Sequence, residues 1–487
     1  MRFILAIASV VRRTTGRIHS PLFWRLLYAA LDTRVAVTAM AAVVRVFRRR
    51  SGAQAAASFL AELSALFVWS GWPHHERGWM NLNTSRFLSA VRHRLTLPPR
   101  EEPRRAPARR ASPLRIGCLG AFAGLVTLNK EHFEAAPLEV ELHVFDLGFR
   151  GRFGTYLEPV TASYQALEDP RASPASTARL VNSAQLDVLL VVMPPPDVFE
   201  LLDRVETPCI VNMCTGSDLL HHPRVDFQLY PQPQADYFAV DGRVFCGTTR
   251  SWLENVNVVP AFFLYDKRDL DPARRRPWQQ RDPLIVVHGS LYKAARPAFL
   301  RTIFGLMQED DSVEMALIGQ GSDRELDTIF GEAAQAGVRR RVHHEHGFTF
   351  VRGADGLLQD DGWGRLRSHL ERARLAPDPW PLGGGASRLE AYAAGAPSVH
   401  LGVRFDPASW GRPQHSIAEV EALRVPRGIA TDPEEYGDLC RRCLADEEFA
   451  DSLASDQALV CNRVTDARAY WLQLIDAHER WLRRRLP

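Results

Sequence analysis

The sequence predicts an α/β fold with two Rossmann-like halves in series, preceded by a small all-helical N-terminal domain. First, 487 residues exceed what one hydrophobic core usually supports. Second, short β-branched apolar runs alternate with helical stretches over most of the chain, as in parallel sheets covered by helices. Third, two breaks rich in Pro and charge, residues 97–113 and 265–283, divide the chain into regions of different composition.

Composition excludes some classes of protein. The chain has 60 basic and 57 acidic residues, a formal net charge of +3, which argues against nucleic acid as the main partner. Its seven cysteines are too scattered for a disulfide framework, so we expect a reducing, cytoplasmic compartment. Cys440 and Cys443 form a CxxC without the second pair of a zinc site, so we expect helix packing there and no metal.

Residues 1–96 are rich in Ala, Leu, Val and Arg and contain few turn residues, which predicts a helical domain. The apolar run "FILAIASVV" near the start is far shorter than the ~20 residues that span a bilayer. Its charge and small residues do not follow the pattern of a signal peptide. The arginines behind it suit either a peripheral membrane contact or, more simply, a solvated helical face.

The first α/β half is predicted over 114–264 and the second over 284–432. The runs that predict strands of the first half are "LRIGCLG" at 114, "LEVELHVFDLG" at 138, "LDVLLVVM" at 186, "PCIVNM" at 208 and "VDFQLY" at 225. Those of the second are "LIVVHGS" at 284, "VEMALIGQG" at 313 and "APSVHL" at 396. Closing helices are predicted over 433–487, with Asp432 as the cap and Pro433 in the first turn.

The segment "DPWPLGGGASRLEAYAAGAPSVHL", residues 378–401, places three glycines before a helical run. Backbone amides at a helix start are unsatisfied donors, so a glycine-rich entry allows close approach of a phosphate. Ala386 and Ser387 would offer first-turn amides, and Glu390 could accept from paired ribose hydroxyls one turn later. A tight loop with no ligand explains the glycines equally well. These glycines are Gly383, Gly384 and Gly385.

This segment resembles the donor-binding segment of GT-B glycosyltransferases. An acidic Pro-containing turn, a Gly-containing loop, a helix and "AGxPxV" follow in the order found in the family of O-linked N-acetylglucosamine transferase, Spindly and the bacterial adhesin N-glycosyltransferases. The resemblance implies a GT-B fold whose halves face a cleft. The second half would bind a nucleoside-diphosphate sugar, a UDP-sugar, as co-substrate, without a further cofactor.

Two other stretches extend the resemblance in the second half. "IVVHGSLYKAARPAFL" is similar to the family's strand, loop and "LYK" segment, which implies that Lys293 contacts the donor diphosphate, with Ser290 in the same loop. "LRSHLERARLAPDPW" is similar to the stretch whose histidine helps to hold the nucleoside, which implies that role for His369. The interval from His369 to Asp378 is a few residues shorter than in the family, and a satisfied core histidine is the alternative.

The first half departs further from the family. "LRIGCLG" and "TPCIVNMCTGSDLLHHPRVDFQLY" resemble its opening strand and its acceptor-side segment, but the histidine after the opening strand is missing. "CTGSD" replaces the family's Gly-Tyr-Pro or Gly-His-Pro. A general base for a hydroxyl acceptor should be a His or a carboxylate in this half. The candidates, each of which also suits a surface loop, are Asp218, His221, His222 and, as runner-up, His132.

The resemblance implies an inverting, metal-independent transfer in which Lys293 and the helix amides stabilise the leaving diphosphate. Asp269 and Asp271 form a "DLD", but it lies in the Arg-rich break, where a metal site is not expected. In relatives the helical part before the two halves helps to hold a polypeptide, so a protein Ser, Thr or Asn is the expected acceptor. The alternatives are a saccharide or lipid-linked acceptor, or an inactive shell that binds nucleotide without transfer.

Overall fold

The computed structural model describes most of the chain after residue 112. Its described residues form two compact units, the first drawn from 1–256 and 467–487 and the second from 257–406 and 414–466. The predicted N-terminal domain, 1–96, lies outside the described residues except for a few helical positions between 38 and 49. The described residues are those few positions and 113–120, 133–146, 155–167, 174–192, 201–213, 224–230, 252–255, 275–346, 362–380, 383, 386–402, 425–464 and 466–485.

The described strands of the first unit form a parallel sheet in the order β3-β2-β1-β4-β5-β6-β7. Strands β4 and β5 are buried at every position, as expected for strands covered on both faces. An order that runs outward in both directions from the first strand is that of a doubly wound Rossmann-like sheet. The strands are β1 (Leu114–Gly120), β2 (Val140–Asp146), β3 (Ser163–Ala166), β4 (Val188–Val192), β5 (Cys209–Met213), β6 (Phe227–Tyr230) and β7 (Trp252–Asn255).

The second unit repeats this arrangement with a four-stranded parallel sheet in the order β10-β9-β8-β11 and a parallel pair, β12-β13. Two backbone hydrogen bonds join these parts, from Ala376 N to Pro397 O at 2.9 Å and from Asp378 N to Val399 O at 3.0 Å. The chain after β11 therefore continues the sheet towards β12. The strands are β8 (Asp282–His288), β9 (Glu314–Ile318), β10 (Val342–Glu345), β11 (Ala373–Leu375), β12 (His400–Leu401) and β13 (Ile429–Ala430).

Helices cover both sheets, and their starts follow local sequence signals. Ser322 and Glu325 form a reciprocal capping box at the start of α3. Asp432 caps α6 by accepting from the amides of Glu434 and Glu435, and Pro433 occupies the first turn as predicted. The helices are α1 (Pro174–Ser183), α2 (Pro297–Glu309), α3 (Asp323–Gln335), α4 (Gly362–Arg372), α5 (Ala386–Ala393), α6 (Pro433–Ala445), α7 (Glu447–Val464) and α8 (Ala467–Arg485). Short 3-10 turns lie at Thr155–Val160, Trp278–Gln280, Arg339–Arg341 and Pro426–Gly428.

Each unit has its own apolar core. In the first, Leu119, Phe145 and Val191 of neighbouring strands are fully buried. The last helix, α8, belongs to this unit: the Trp471 ring lies 6.1 Å from the Phe133 ring, edge to face. Sequence composition predicts this helix but not which half it packs on.

Buried side chains also account for the CxxC. Cys440 and Cys443 lie on the inner face of α6 in the core of the second unit. Burial raises the pKa of both thiols, so they are protonated and behave as small apolar groups. In the described part of the chain, no helix is long and apolar enough to cross a membrane.

Candidate functional site

Two of the segments implied for donor binding meet at one end of the second sheet. Lys293 follows β8, and its Nζ donates a hydrogen bond to the carbonyl oxygen of Gly383 at 3.1 Å. These two residues are 90 positions apart in sequence. The fold therefore brings the "LYK" loop against the glycine-rich entry of α5. This edge lies at the carboxyl ends of the parallel strands, where ligands of such sheets usually bind.

Glycines keep this edge free of side chains. Gly289 has φ +102°, a left-handed conformation that favours glycine, and a Cβ built on it would lie 3.8 Å from the Cβ of Ser387. A Cβ on Gly319 at the end of β9 would lie 1.7 Å from the carbonyl oxygen of Gly289. The loop after β8 therefore runs between the end of β9 and the first turn of α5. At Gly289 and Gly319 this close approach involves backbone atoms and no glycine side chain.

His288 and Glu390 form a buried pair beside that loop. His288 ends β8, and its Nε2 lies 3.1 Å from Oε2 of Glu390 on α5. The two side chains are only 6% and 10% exposed. The contact is close enough for an ion pair, but Nε2 lacks a well-aligned hydrogen bond within the described residues. Sequence analysis singled out Glu390 and missed His288, although a histidine closing an apolar strand is a visible signal.

A second buried cluster anchors the start of the glycine-rich segment. Asp378 accepts from Arg388 Nη2 at 2.7 Å and lies 3.2 Å from Nδ1 of His400. Because a carboxylate only accepts, Nδ1 of His400 carries the proton, and Nε2 accepts from the hydroxyl of Tyr392 at 3.0 Å. Burial and the Arg388 guanidinium lower the pKa of His400 to about 4, so the ring is neutral. We call Asp378, Arg388, Tyr392 and His400 the anchor cluster.

The anchor cluster fixes both ends of the loop that leads into α5. Asp378 precedes the loop, Arg388 lies in the first turn of the helix after it, and their side chains are 4% and 0% exposed. A Cβ on Gly383 would lie 2.3 Å from Oδ2 of Asp378, so the loop rests directly on this carboxylate. The backbone carbonyl of Asp378 accepts from the Tyr436 hydroxyl at 2.9 Å. At Gly383 the glycine is therefore required by packing within the protein.

His369 pairs with a residue at the carboxyl end of another strand of the same sheet. It is on α4, its side chain is 22% exposed, and its Nε2 lies 3.1 Å from Oε1 of Glu345 at the end of β10. It is therefore not a residue of the apolar core. Ser290 is exposed in the loop after β8, next to the residues described above.

Several predicted residues lie outside the described residues, and their roles stay predictions. They are Gly384 and Gly385 in the loop before α5, and Asp218, His221, His222 and His132 on the acceptor side. Ala386 opens α5. Ser387 is half-buried in the first turn, where its backbone amide is among those that helices leave without an internal partner. Of the His, Cys, Asp and Glu side chains that the structure describes, no three lie close enough together to hold a metal ion.

No protein-family model and no curated protein sequence matches this chain. Solved structures do match. A mutant of the Thermobaculum terrenum O-GlcNAc transferase is 16% identical, with a TM-score of 0.55 over 88% of this chain and 84% of its own. A glycosyltransferase from Rickettsia africae is 7% identical, with a TM-score of 0.51 over 77% of this chain and 99% of its own.

The chain has a GT-B fold. The expected fold class of two parallel, helix-covered sheets is confirmed by the sheets described above and by these neighbours. At such low identity the likeness is one of fold, and the chemistry has to be argued from the residues themselves.

Proposed function

We propose that this chain is a glycosyltransferase that moves a sugar from a nucleoside-diphosphate donor, a UDP-sugar, to a polypeptide. The observation that carries the proposal is the contact of Lys293 with Gly383, which joins two donor-binding segments that are distant in sequence. Leu291 and Trp380 of these two segments pack in one apolar core, and the amine of Lys293 lies at the glycine-rich entry of α5. An anionic ligand would fit between that amine and the helix start.

The diphosphate would bind between Lys293 and the first turn of α5. Lys293 supplies a compact positive charge, and the first-turn amides near Ala386 and Ser387 would supply donors on the positive end of the helix dipole. Glu390 lies three residues beyond Ser387, about 4.5 Å further along the helix axis. A nucleoside extending from the phosphates along α5 would bring its ribose to this carboxylate.

The reaction is a displacement at the anomeric carbon. The acceptor oxygen or nitrogen forms a bond to that carbon while the bond to the diphosphate oxygen breaks, and the electron pair leaves with the nucleoside diphosphate. Attack from the opposite face inverts the configuration. The acceptor proton passes to a general base, for which Asp218, His221, His222 and His132 remain the candidates.

Charge on the leaving diphosphate would be balanced by the protein itself. Preorganised donors at such a position usually contribute several kcal/mol to a transition state. Lys293 and the α5 amides supply these donors, and we propose that no metal ion takes part. The buried thiols of Cys118, Cys440 and Cys443 suit a reducing cytoplasm, where we place the reaction.

The acceptor is assigned to protein Ser, Thr or Asn side chains. Support comes from the resemblance of the donor segments to protein-modifying transferases and from the O-GlcNAc transferase among the structural neighbours. A saccharide or lipid-linked acceptor and an inactive nucleotide-binding shell are the competing possibilities. Each of them gives a different result in the following experiment.

The full-length protein is incubated with radiolabelled UDP-sugars and a lysate of its host, with and without EDTA, and protein is then separated from the lipid extract. We expect label in protein, unaffected by EDTA and lost with Lys293→Ala. Label in lipid alone would overturn the polypeptide acceptor. Label in neither fraction, with UDP binding intact, would identify the inactive shell, and loss of transfer with EDTA would contradict metal independence.

A further inference from the structure

Three polar side chains on two neighbouring strands of the first sheet are linked in series. Ser163 on β3 is paired in register with His143 on β2, and Ser163 Oγ lies 2.8 Å from Nδ1 of the His143 ring. Glu141 lies two residues before His143 on the same face of β2, and its Oε1 is 3.0 Å from the other ring nitrogen, Nε2. A serine, a histidine and a carboxylate in this order form the arrangement that activates a serine nucleophile. We call these residues the serine triad.

The carboxylate of the serine triad decides which ring nitrogen carries the proton. Because Glu141 only accepts, Nε2 of His143 carries the proton and Nδ1 is left to accept from the Ser163 hydroxyl. Arg115 Nη2 donates to the same Oε1 at 3.1 Å and lies 3.3 Å from Nε2. Burial and the Arg115 guanidinium lower the pKa of His143 below its ordinary value of 6.5. The ring is therefore neutral at pH 7 and can take a proton from the serine.

The serine triad lies at the edge of the sheet and beside a cavity. Ser163 is half-buried on β3, which ends the strand order of the described sheet, whereas the His143 side chain is only 6% exposed. The cavity measures about 480 Å³, and its lining includes Glu141 and Ala162, the residue before Ser163. The rest of its lining is mostly apolar, with Phe133, Leu138, Val140, Leu142 and Val160. The space next to the triad therefore suits an apolar group.

We propose that the serine triad is a site of ester hydrolysis, separate from the donor site, that takes carboxylic esters with an apolar acyl group. Oγ of Ser163 forms a bond to the carbonyl carbon, the bond from that carbon to the alcohol oxygen breaks, and the serine proton passes through Nδ1 of His143 to the departing alcohol. Water then attacks the acyl-serine. His143 takes a proton from this water and returns it to Ser163 as the carboxylic acid leaves. Glu141 is a positioning residue, because it acts on the ester only through the ring.

Covalent labelling of the full-length protein tests the nucleophile. An alkyl fluorophosphonate marks activated serines, since Oγ bonds to phosphorus as fluoride leaves, and mass spectrometry of peptides finds the labelled residue. We expect label on Ser163, none there in Ser163→Ala, and labelling about 100-fold slower or more in His143→Gln. Ser183→Ala is the matched control, because it removes an exposed hydroxyl on α1 that donates to a backbone carbonyl. It should label as the unmodified protein does.

Two further measurements test the positioning residue and the substrate class. Glu141→Ala should slow the labelling, and Glu141→Asp, which keeps the carboxylate, should restore part of the rate. The p-nitrophenyl esters of acetate and octanoate report hydrolysis. Ala162→Phe, at an exposed position of the cavity wall, should slow the octanoate ester and leave the acetate ester unchanged.

The outcomes separate this inference from the proposed function. Absence of label on Ser163 in the unmodified protein, or equal labelling of a folded His143→Gln variant, would overturn the nucleophile. Hydrolysis of neither ester, or equal slowing of both by Ala162→Phe, would overturn the substrate class. Lys293→Ala belongs to the second unit and should label normally, so a failed donor site leaves this test intact. Melting curves of each variant show whether it is folded.

Discussion

Two buried carboxylates, Asp378 before helix α5 and Glu390 on it, differ in the number of protein groups that contact them. The Asp378 carboxylate accepts a hydrogen bond from the Arg388 guanidinium and lies beside the His400 ring. The backbone carbonyl of Asp378 accepts a hydrogen bond from the Tyr436 hydroxyl. Glu390 is nearly as buried but has the single polar neighbour His288 among the described residues. The first carboxylate is satisfied by its own chain and holds the loop in shape. The second has hydrogen-bonding capacity left over, as expected of a group that binds a ligand.

The comparison predicts that substitutions in the anchor cluster affect stability and that those in the His288–Glu390 pair affect binding. Removing one partner of a buried ion pair leaves the other charge uncompensated, which is strongly destabilising. Glu390 has one polar neighbour among the described residues, His288, and neither of its oxygens is a fully buried atom without a partner, so replacing it should cost little stability. Three measurements of stability test this contrast, and the substitution that should cost most comes first.

Asp378→Ala should have the largest effect. It leaves the Arg388 guanidinium buried without its carboxylate, and we expect a loss of about 3–5 kcal/mol in the free energy of unfolding of the second unit, measured by urea denaturation. Arg372→Ala is the matched control, because Arg372 pairs with Asp282 at the surface, both about half exposed. It should cost less than about 1 kcal/mol. Equal losses in the two variants would show that Asp378 is no anchor.

Acid should weaken the anchor cluster through His400. Its pKa is about 4 in the folded protein against an ordinary value of 6.5, so between these values the unfolded chain binds a proton that the folded protein does not. Stability is therefore full above pH 6.5 and falls as the pH drops towards 4, by on the order of 3 kcal/mol for this residue. In His400→Asn, the free energy of unfolding should change less between pH 6.5 and pH 4.

His478 on α8 provides the corresponding test in the first unit. Burial alone lowers its pKa to about 4, so its contribution has the same sign and pH range. The melting temperature should fall between pH 7.5 and 4.5 because of both His400 and His478. Replacing either histidine should remove the part of the fall that this residue causes. A His400→Asn protein with an unchanged acid profile would contradict the neutral, buried state of this ring.

Glu390→Gln should have the smallest effect on stability. The amide is uncharged and isosteric, so we expect a change within about 1 kcal/mol, towards higher stability if anything. Affinity for a ribonucleoside diphosphate should nevertheless fall about tenfold or more, because a charged acceptor becomes a neutral one. A melting temperature that falls as far as that of Asp378→Ala would show that Glu390 is a structural residue.

Much of the fold was predictable because the inner strands are continuous apolar runs. Each of the eight predicted runs contains a strand. The strands that were missed in the first sheet, β3 and β7, are at its edges, and β10 is at the edge of the second. Edge strands are covered less completely and carry more polar residues, as in "VHHE" of β10. Strand β11 has three residues and follows α4 without a turn, so no local signal separates the two.

Site residues could be proposed from the sequence only where a contiguous motif carries them, and their roles stay predictions. Lys293, Ser387 and Glu390 lie in stretches that resemble a known family, whereas Arg388 and His400 act through contacts made by the fold. His288 and His400 did carry a signal, because each is a polar ring in an otherwise apolar strand run. Such a residue needs a partner when it is buried, but the sequence does not reveal which one.

The most direct test of the central claim, that the second unit holds a nucleoside diphosphate between Lys293 and α5, is UDP binding measured by calorimetry. We expect UDP to bind the full-length protein and to bind Lys293→Ala about 10- to 100-fold more weakly, the loss of a charge-assisted contact. Arg301→Ala removes an equal charge from an exposed position on α2 and should bind as the unmodified protein does. Equal affinity of Lys293→Ala and Arg301→Ala, or no binding by the unmodified protein, would contradict the account.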